Sequence, residues 1–315
     1  MYRLILLTLL TLLTLILGSC SSSNVKVLNG VDSIKTVESS TKKSVVESKF
    51  PVVAEVFNGK AKYVEFTIDE IDGTYDLICK EVGSKKPLIQ SFPFIISNKT
   101  ASLYYVESYF SSAKSHKCSF RDKTVLTISV KSFPYKSEQL NVDQRKVVLS
   151  EKDLARVIKE REITSNLYKN SSRQLLIDGP FSVPLDSFIT SHYGNKRVFN
   201  NLKSSQHLGN DFRAKVGVPI PSSNRGKVVF VGNLFYTGNV VIVDHGLNIF
   251  SLYAHLSKML VKAGDIINRN DIVGLSGKTG RVSGPHLHWG IKINSHNIDG
   301  FSLVEESKNQ YLSNE

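Results

Sequence analysis

A chain of 315 residues, 41% of them hydrophobic, is long enough for two modest domains with real cores and too apolar to be disordered throughout. The formal net charge of +12 comes from lysines scattered along the chain rather than from one basic block, which argues against a nucleic-acid partner. Two readings of that charge stay open: an anionic environment such as cell-wall polymer or lipid headgroups, or solubility alone.

Met1-Tyr2-Arg3 supplies a short positive region, the span 4–17 is an apolar run broken only by threonines, and Leu17-Gly18-Ser19-Cys20 follows at once. The run is shorter than the ~20 residues that span a bilayer. The arrangement resembles a bacterial lipoprotein signal peptide with its lipobox. That resemblance implies loss of residues 1–19 and lipidation of Cys20, leaving an exported protein anchored to a bacterial membrane and facing the cell wall, in the periplasm or at the cell surface. Residues 20–49 are rich in serine and lysine without sustained periodicity and read as a flexible tether, whose ~30 residues reach roughly 100 Å when extended. With Cys20 set aside, Cys79 and Cys118 remain, and an exported protein tends to pair them; two separate buried thiols are the alternative.

Over 50–148 the pattern has period two. Val64, Phe66 and Ile68 alternate with Glu65, Thr67 and Asp69, Leu77 and Cys79 with Ile78 and Lys80, and Leu126, Ile128 and Val130 with Thr127, Ser129 and Lys131. The reading is an antiparallel β-sandwich, immunoglobulin-like, with Cys79 and Cys118 on neighbouring strands. It holds no catalytic constellation, and His116 is expected to be a polar loop residue. Ser150 and Asp153 form a capping box, and Leu154, Val157, Ile158 and Arg161 continue at helical spacing to about Tyr168. The helical linker covers 149–179. Short strands broken by glycines fill 180–305, with no convincing helix after Tyr168, and 306–315 reads as a tail. The fold class is mainly β: an N-terminal sandwich, a connecting helix and a C-terminal antiparallel sheet domain.

Chemistry concentrates in the second domain. His286 and His288, two apart, face the same side of a strand. His207 and Asp211 stand four apart, with Gly209 between them to let the backbone bend so that both reach one point. Tyr253-Ala254-His255-Leu256 offers another imidazole at a strand end. A catalytic zinc usually takes three protein ligands and leaves a position for water, so these five groups exceed the metal's need by two, and the surplus can move protons.

Those residues resemble the zinc endopeptidases of the lysostaphin and LytM type, the M23 peptidases. The markers are His-x-x-x-Asp, Tyr-x-His-Leu and Gly-Pro-His-x-His, here in family order. The frame of Ile189-Thr190-Ser191-His192-Tyr193-Gly194, Val243-Asp244-His245-Gly246 and 277–284 accompanies them. The resemblance covers about 180–303. It implies that His207, Asp211 and His288 bind one Zn2+ per chain and that His255 and His286 flank the attacking water, with the base left undecided between them. His192 and His245 are expected to hold backbone or line the cleft, His296 to lie in a surface loop, and Tyr193 either to meet the reacting carbonyl or to pack. Two departures stand out: Asn210, where the family usually has an aliphatic residue, and Asp299-Gly300, where Asp-Pro is common. Asn210 is expected to point away from the metal.

The resemblance implies a zinc metalloendopeptidase that cuts cross-links or stem peptides of peptidoglycan. The alternative is a non-catalytic scaffold that binds peptidoglycan or activates another wall hydrolase; inactive relatives typically lose ligands, and this chain keeps all five groups. The N-terminal domain could position the enzyme, occlude the cleft until a regulatory partner arrives, or act as a spacer.

Overall fold

The computed structural model describes residues 51–140, 149–199 and 203–312. The expected signal peptide, the tether and Cys20 lie outside the described residues.

In the N-terminal half, β1 (Val52–Phe57), β2 (Ala61–Thr67), β3 (Gly73–Glu81), β4 (Ile89–Ser97), β5 (Thr100–Val106), β6 (Ser115–Phe120) and β7 (Lys123–Lys131) pair in the order β1-β7-β6-β3-β4-β5-β2. Alternation decides the faces: Val64, Phe66, Leu77, Cys79, Leu126 and Ile128 are buried, while Glu65, Thr67, Asp76 and Lys80 are exposed. The edge strands β1 and β2 are consecutive, joined by the turn Asn58-Gly59-Lys60, in which the Lys60 N–H donates to the Phe57 carbonyl at 3.1 Å. A sheet whose two edge strands are joined by a three-residue turn has to curl enough to bring the joined strand ends together, without pairing the edges. Alternation thus predicts this β domain correctly, but it reads inside from outside and not pairing partners. The strands form one curled sheet, antiparallel except for the parallel β1–β7 pair, rather than two antiparallel layers. Cys79 and Cys118 sit directly opposite on β3 and β6 and form a disulfide, with Cα atoms 3.9 Å apart.

His116 is not a loop residue. It lies on β6, fully buried, with Nδ1 3.0 Å from the Tyr105 hydroxyl and 3.3 Å from Glu107 Oε2, itself fully buried. Its neighbours in sequence are polar, which made the inward-facing position look like a loop.

The helix α1 (Glu151–Leu167) follows β8 (Ser137–Leu140), and its Ser150 cap accepts the Asp153 N–H. The rest of the linker is stitched down: Arg173 pairs with Asp76 at 2.9 Å, and Ser171 and the Ser172 N–H hold the Asp244 carboxylate. Then come β9 (Ile189–Ser191), β10 (Lys196–Phe199), β11 (Lys203–Gln206), β12 (Asn210–Arg213), β13 (Pro219–Pro221), β14 (Gly226–Leu234), β15 (Gly238–Asp244), β16 (Ile249–Leu256), β17 (Lys258–Met259), β18 (Ile266–Ile267), β19 (Ile272–Leu275), β20 (His286–Ile293) and β21 (His296–Ile298). The main sheet runs β18-β14-β15-β16-β20-β12-β9, with β21 on β20.

A second helix, α2 (Gly300–Leu312), replaces the expected tail and the expected absence of helix after Tyr168. The Asp299 carboxylate caps it by accepting the Phe301 N–H, and Leu303, Val304 and Ser307 bury one face. Only that narrow stripe is apolar, so the chain from Glu306 onward reads as polar tail until β2 supplies a partner. The edge N–H groups of Ala61 and Tyr63 donate to Ser302 Oγ and Glu306 Oε2, so α2 covers an otherwise open sheet edge.

Candidate metal and catalytic site

Strand pairing assembles the site. β12 lies antiparallel to β20 with Asp211 directly across from His288, and β16 lies on the other side of β20 with Ala254 across from His288. His286 shares the face of His288, while Leu287 and Trp289 point to the opposite face and are buried in the core. His207, just before β12, is fastened by its own backbone: its N–H donates to the Asn195 carbonyl at 3.0 Å, and its carbonyl accepts the Gly194 N–H at 2.7 Å.

Three of the predicted groups meet. Asp211 Oδ1 is 2.9 Å from His207 Nε2 and 2.8 Å from His288 Nδ1, and those two nitrogens are 3.1 Å apart. His207, Asp211 and His288 form one cluster whose ligand atoms all lie within 4.8 Å of one another. Gly209 makes room for this rather than providing a bend: a Cβ there would stand 2.5 Å from His288 Cε1 and 2.7 Å from the Trp289 carbonyl oxygen.

The donor chemistry fits a divalent cation. His207 Nδ1 faces the His192 carbonyl oxygen at 3.0 Å, and because a carbonyl only accepts, that nitrogen carries the proton. In the neutral ring Nε2 therefore bears a lone pair, aimed at a carboxylate oxygen and a second imidazole nitrogen. Such groups repel unless a proton or cation lies among them, and two imidazoles with one carboxylate form a set that Zn2+ accepts. When protons rather than a cation fill the cluster, hydrogen bonds from the protonated His207 and His288 rings and their charge outweigh burial, which by itself would raise the Asp211 carboxyl, and hold it well below the usual carboxylate range.

His255 reaches the site by a route that sequence periodicity does not reveal. Alternation after Ala254 would turn it to the far face, but its φ of +62° lies in the left-handed region and brings the ring back, with its centroid 4.7 Å from that of His286 and 5.9 Å from that of His288. Such a conformation costs of order 1–3 kcal/mol for a residue other than glycine, and the surroundings over-determine it. The His255 N–H donates to the Thr237 carbonyl, and Nδ1 meets the Thr279 carbonyl oxygen at 2.9 Å. Thr279 Oγ1 and Asn239 Nδ2 both donate to the next carbonyl, that of Leu256. Burial first, and then the neighbouring His288 and His286, push the His255 imidazolium down to about 4, so the ring is neutral at pH 7. His286 Nδ1 lies 2.9 Å from the Gly284 carbonyl oxygen, and its Nε2 stands 3.8 Å from Asp211 Oδ1. Both flanking rings therefore keep a proton on Nδ1 and present Nε2.

The match to known proteins falls on this constellation. Residues 205–300 match the model of peptidase family M23. The matched stretch contains His207, Asp211, His255, His286 and His288. Over 119 residues the chain is 40% identical to the peptidoglycan DD-endopeptidase ShyA of Vibrio cholerae, covering 37% of this chain and 28% of the relative. Over 98 residues it is 35% identical to the DD-carboxypeptidase/endopeptidase Mpg of Neisseria meningitidis, covering 31% of this chain and 23% of the relative. The chain thus spans about a quarter of the length of these curated relatives. Beyond the matched stretch the fold itself is shared: the crystal structure of a candidate M23 peptidase from Pseudomonas aeruginosa covers 82% of this chain and 97% of its own, with a TM-score of 0.59 at 23% identity.

The other histidines stay out of the cluster. His245 is fully buried between the Arg225 carbonyl and Ser251 Oγ, each at 2.8 Å. His192 is exposed and serves through its carbonyl. His296 is half-buried on β21, with Nε2 2.6 Å from Gln90 Oε1, not in a surface loop. Tyr193 packs: it is 3% exposed, its hydroxyl donates to the Asn297 carbonyl, and burial pushes its phenol up. Sequence reading missed the supporting carbonyls of His192, Thr237 and Thr279, because a backbone oxygen has no residue-type signature.

Proposed function

We propose that the chain is a zinc-dependent endopeptidase acting on cross-links or stem peptides of peptidoglycan, exported and anchored to a bacterial membrane through lipidated Cys20. The convergence of His207, Asp211 and His288, with two imidazoles beside them, carries this reading. The peptidoglycan endopeptidase names of the relatives support the substrate class. His207, Asp211 and His288 would hold the ion, with Asp211 supplying negative charge and the His192 carbonyl fixing which nitrogen His207 presents. When bound, zinc supplies Lewis-acid charge beside a water and a peptide carbonyl. The chain's own part is proton movement. His255 and His286, each with Nδ1 tied to a carbonyl, present Nε2 to the cleft, so that a ring with Nε2 free accepts a proton from the attacking water and a ring with Nε2 protonated delivers one to the leaving amine.

The test is to incubate the protein with purified peptidoglycan, with and without a chelator, and to identify released muropeptides by mass spectrometry. Chelator-sensitive release of peptide-cleaved fragments is expected. Wall binding without release from metal-loaded protein would instead make the chain a scaffold.

A further inference from the structure

One departure from the M23 pattern, Asn210, touches Asp299, the residue just before the other departure, Gly300. Asn210 Nδ2 donates to Asp299 Oδ1 at 3.2 Å, and Asn210 Oδ1 accepts the Tyr193 N–H at 3.0 Å. Gly300 is equally specific to this packing, since a Cβ there would lie 2.5 Å from the Trp289 ring. Asp299 is in turn held by the N-terminal domain. Lys60 Nζ stands 2.6 Å from Asp299 Oδ2, and the Asp299 N–H donates to the Gly59 carbonyl at 2.8 Å.

The same β1–β2 turn braces the segment that fixes His207. Residues 192–195 supply that ligand with three contacts: the His192 carbonyl on Nδ1, the Asn195 carbonyl on its N–H, and the Gly194 N–H on its carbonyl. Tyr135 of the N-terminal half presses on this segment from behind. Its ring is 5.8 Å from that of Tyr193, and its hydroxyl donates to the Asn58 carbonyl. The approach is so close that a Cβ on Gly194 would stand 2.1 Å from the Tyr135 ring, and one on Gly59 would stand 2.8 Å from Tyr193. Both glycines also take positive φ, +81° and +75°.

We propose that Lys60 and Tyr135 are positioning residues for the metal centre: through Asp299, Asn210 and the 192–195 segment, the N-terminal domain holds His207 and Asp211 in register. The inference rests on the reading of His207, Asp211 and His288 as the metal's ligands. The domain is then a working part of the metal site rather than a spacer. Partners behind a ligand typically change metal affinity by 10–100-fold when removed.

The experiment measures zinc affinity by competition with a chromogenic chelator, the visible spectrum of the cobalt-substituted protein, and thermal unfolding. It uses the whole chain as wild type, Lys60→Met, Lys60→Arg and Tyr135→Leu. Zinc affinity should fall about tenfold in Lys60→Met and Tyr135→Leu, with a changed cobalt spectrum, and Lys60→Arg should stay within about twofold of wild type. If both disruptive variants melt earlier yet keep wild-type zinc affinity and cobalt spectrum, the contact only holds the domains together and the inference is wrong. Should a variant fail to fold, the other, with Lys60→Arg as control, still decides. A wild-type chain that takes up no divalent ion would overturn the metal reading and this inference together, whereas equal uptake by all variants overturns the inference alone.

Discussion

His207 Nδ1 lies 3.0 Å from the carbonyl oxygen of His192, which places the ring proton on the side away from Asp211. Nε2 is left as a lone pair 2.9 Å from a carboxylate oxygen, a placement that a cation between them makes favourable. The same device recurs at His255, where the Thr279 carbonyl fixes Nδ1, and at His286, where the Gly284 carbonyl does. Three backbone oxygens thus set the tautomers of three imidazoles before any ligand arrives.

From this geometry His286 and His288, two residues apart on one strand, divide their work. His288→Ala removes a member of the three-donor cluster and should weaken zinc binding by at least about 100-fold, whereas His286→Ala should keep zinc within a few-fold and lose about 10²–10⁴-fold in turnover. Metal content by elemental analysis, paired with muropeptide release, reads both. Equal zinc loss in the two variants would refute the division.

Gly209→Ala tests whether space, and not flexibility, is what that glycine provides. The added Cβ would meet His288 and the immobile Trp289 carbonyl, so about 1–3 kcal/mol of stability should be lost along with about tenfold or more in zinc affinity. Urea unfolding and chelator competition measure the two effects. A variant that binds zinc as tightly as wild type would show that the site has slack.

Much of this site was legible in the sequence because its residues are chemically distinctive and their spacing is set by strand geometry. His286 and His288 share a face through period-two alternation, and His207 and Asp211 stand out by their spacing of four, although it is the β12–β20 register, seen only in the structure, that sets Asp211 across from His288. His255 is different. Periodicity assigns it to the core face, and only its left-handed backbone, which no residue type announces outside glycine, brings it round. In the fold, alternation marked the N-terminal strands but could not say that β1 pairs in parallel with β7. The helix α2 was hidden because its apolar stripe is narrow and its remaining positions bond to a strand edge some 240 residues earlier in the chain, at Ala61 and Tyr63. His116 escaped for a related reason, since its partners Tyr105 and Glu107 come from a different strand and the turn beyond it.

His245 gives the protein a built-in acid sensitivity. Burial pushes its imidazolium down to about 4, against the opposing hydrogen bond to the Arg225 carbonyl. In the unfolded chain the ring binds a proton near pH 6.5, so between about pH 6.5 and 4 the unfolded state holds a proton that the folded state does not. Stability is therefore full above about pH 6.5 and falls as pH drops towards 4, by up to about 3 kcal/mol from this residue. Urea unfolding of wild type and His245→Gln across that window should show a smaller acid loss in the variant. Parallel curves would remove His245 as the source.

The Cys79–Cys118 bridge closes a sequence separation of 39 residues, for which the chain-entropy estimate is about 4 kcal/mol. Both sulfurs are buried in the curled sheet, on strands that carry none of the clustered ligands. Reduction, or the Cys79→Ala/Cys118→Ala pair, should lower the unfolding midpoint sharply while folded protein keeps its zinc affinity. Thermal unfolding with and without reductant checks the first half and chelator competition the second.

The most direct test of the whole account is to strip the protein of metal, add zinc back in measured steps, and follow release of peptide-cleaved muropeptides from purified peptidoglycan. Release should be absent without metal, rise in proportion to added zinc and level off at about one equivalent per chain, as a single three-ligand site requires. Fully zinc-loaded protein that binds the wall but releases nothing, or release that ignores zinc, would contradict it.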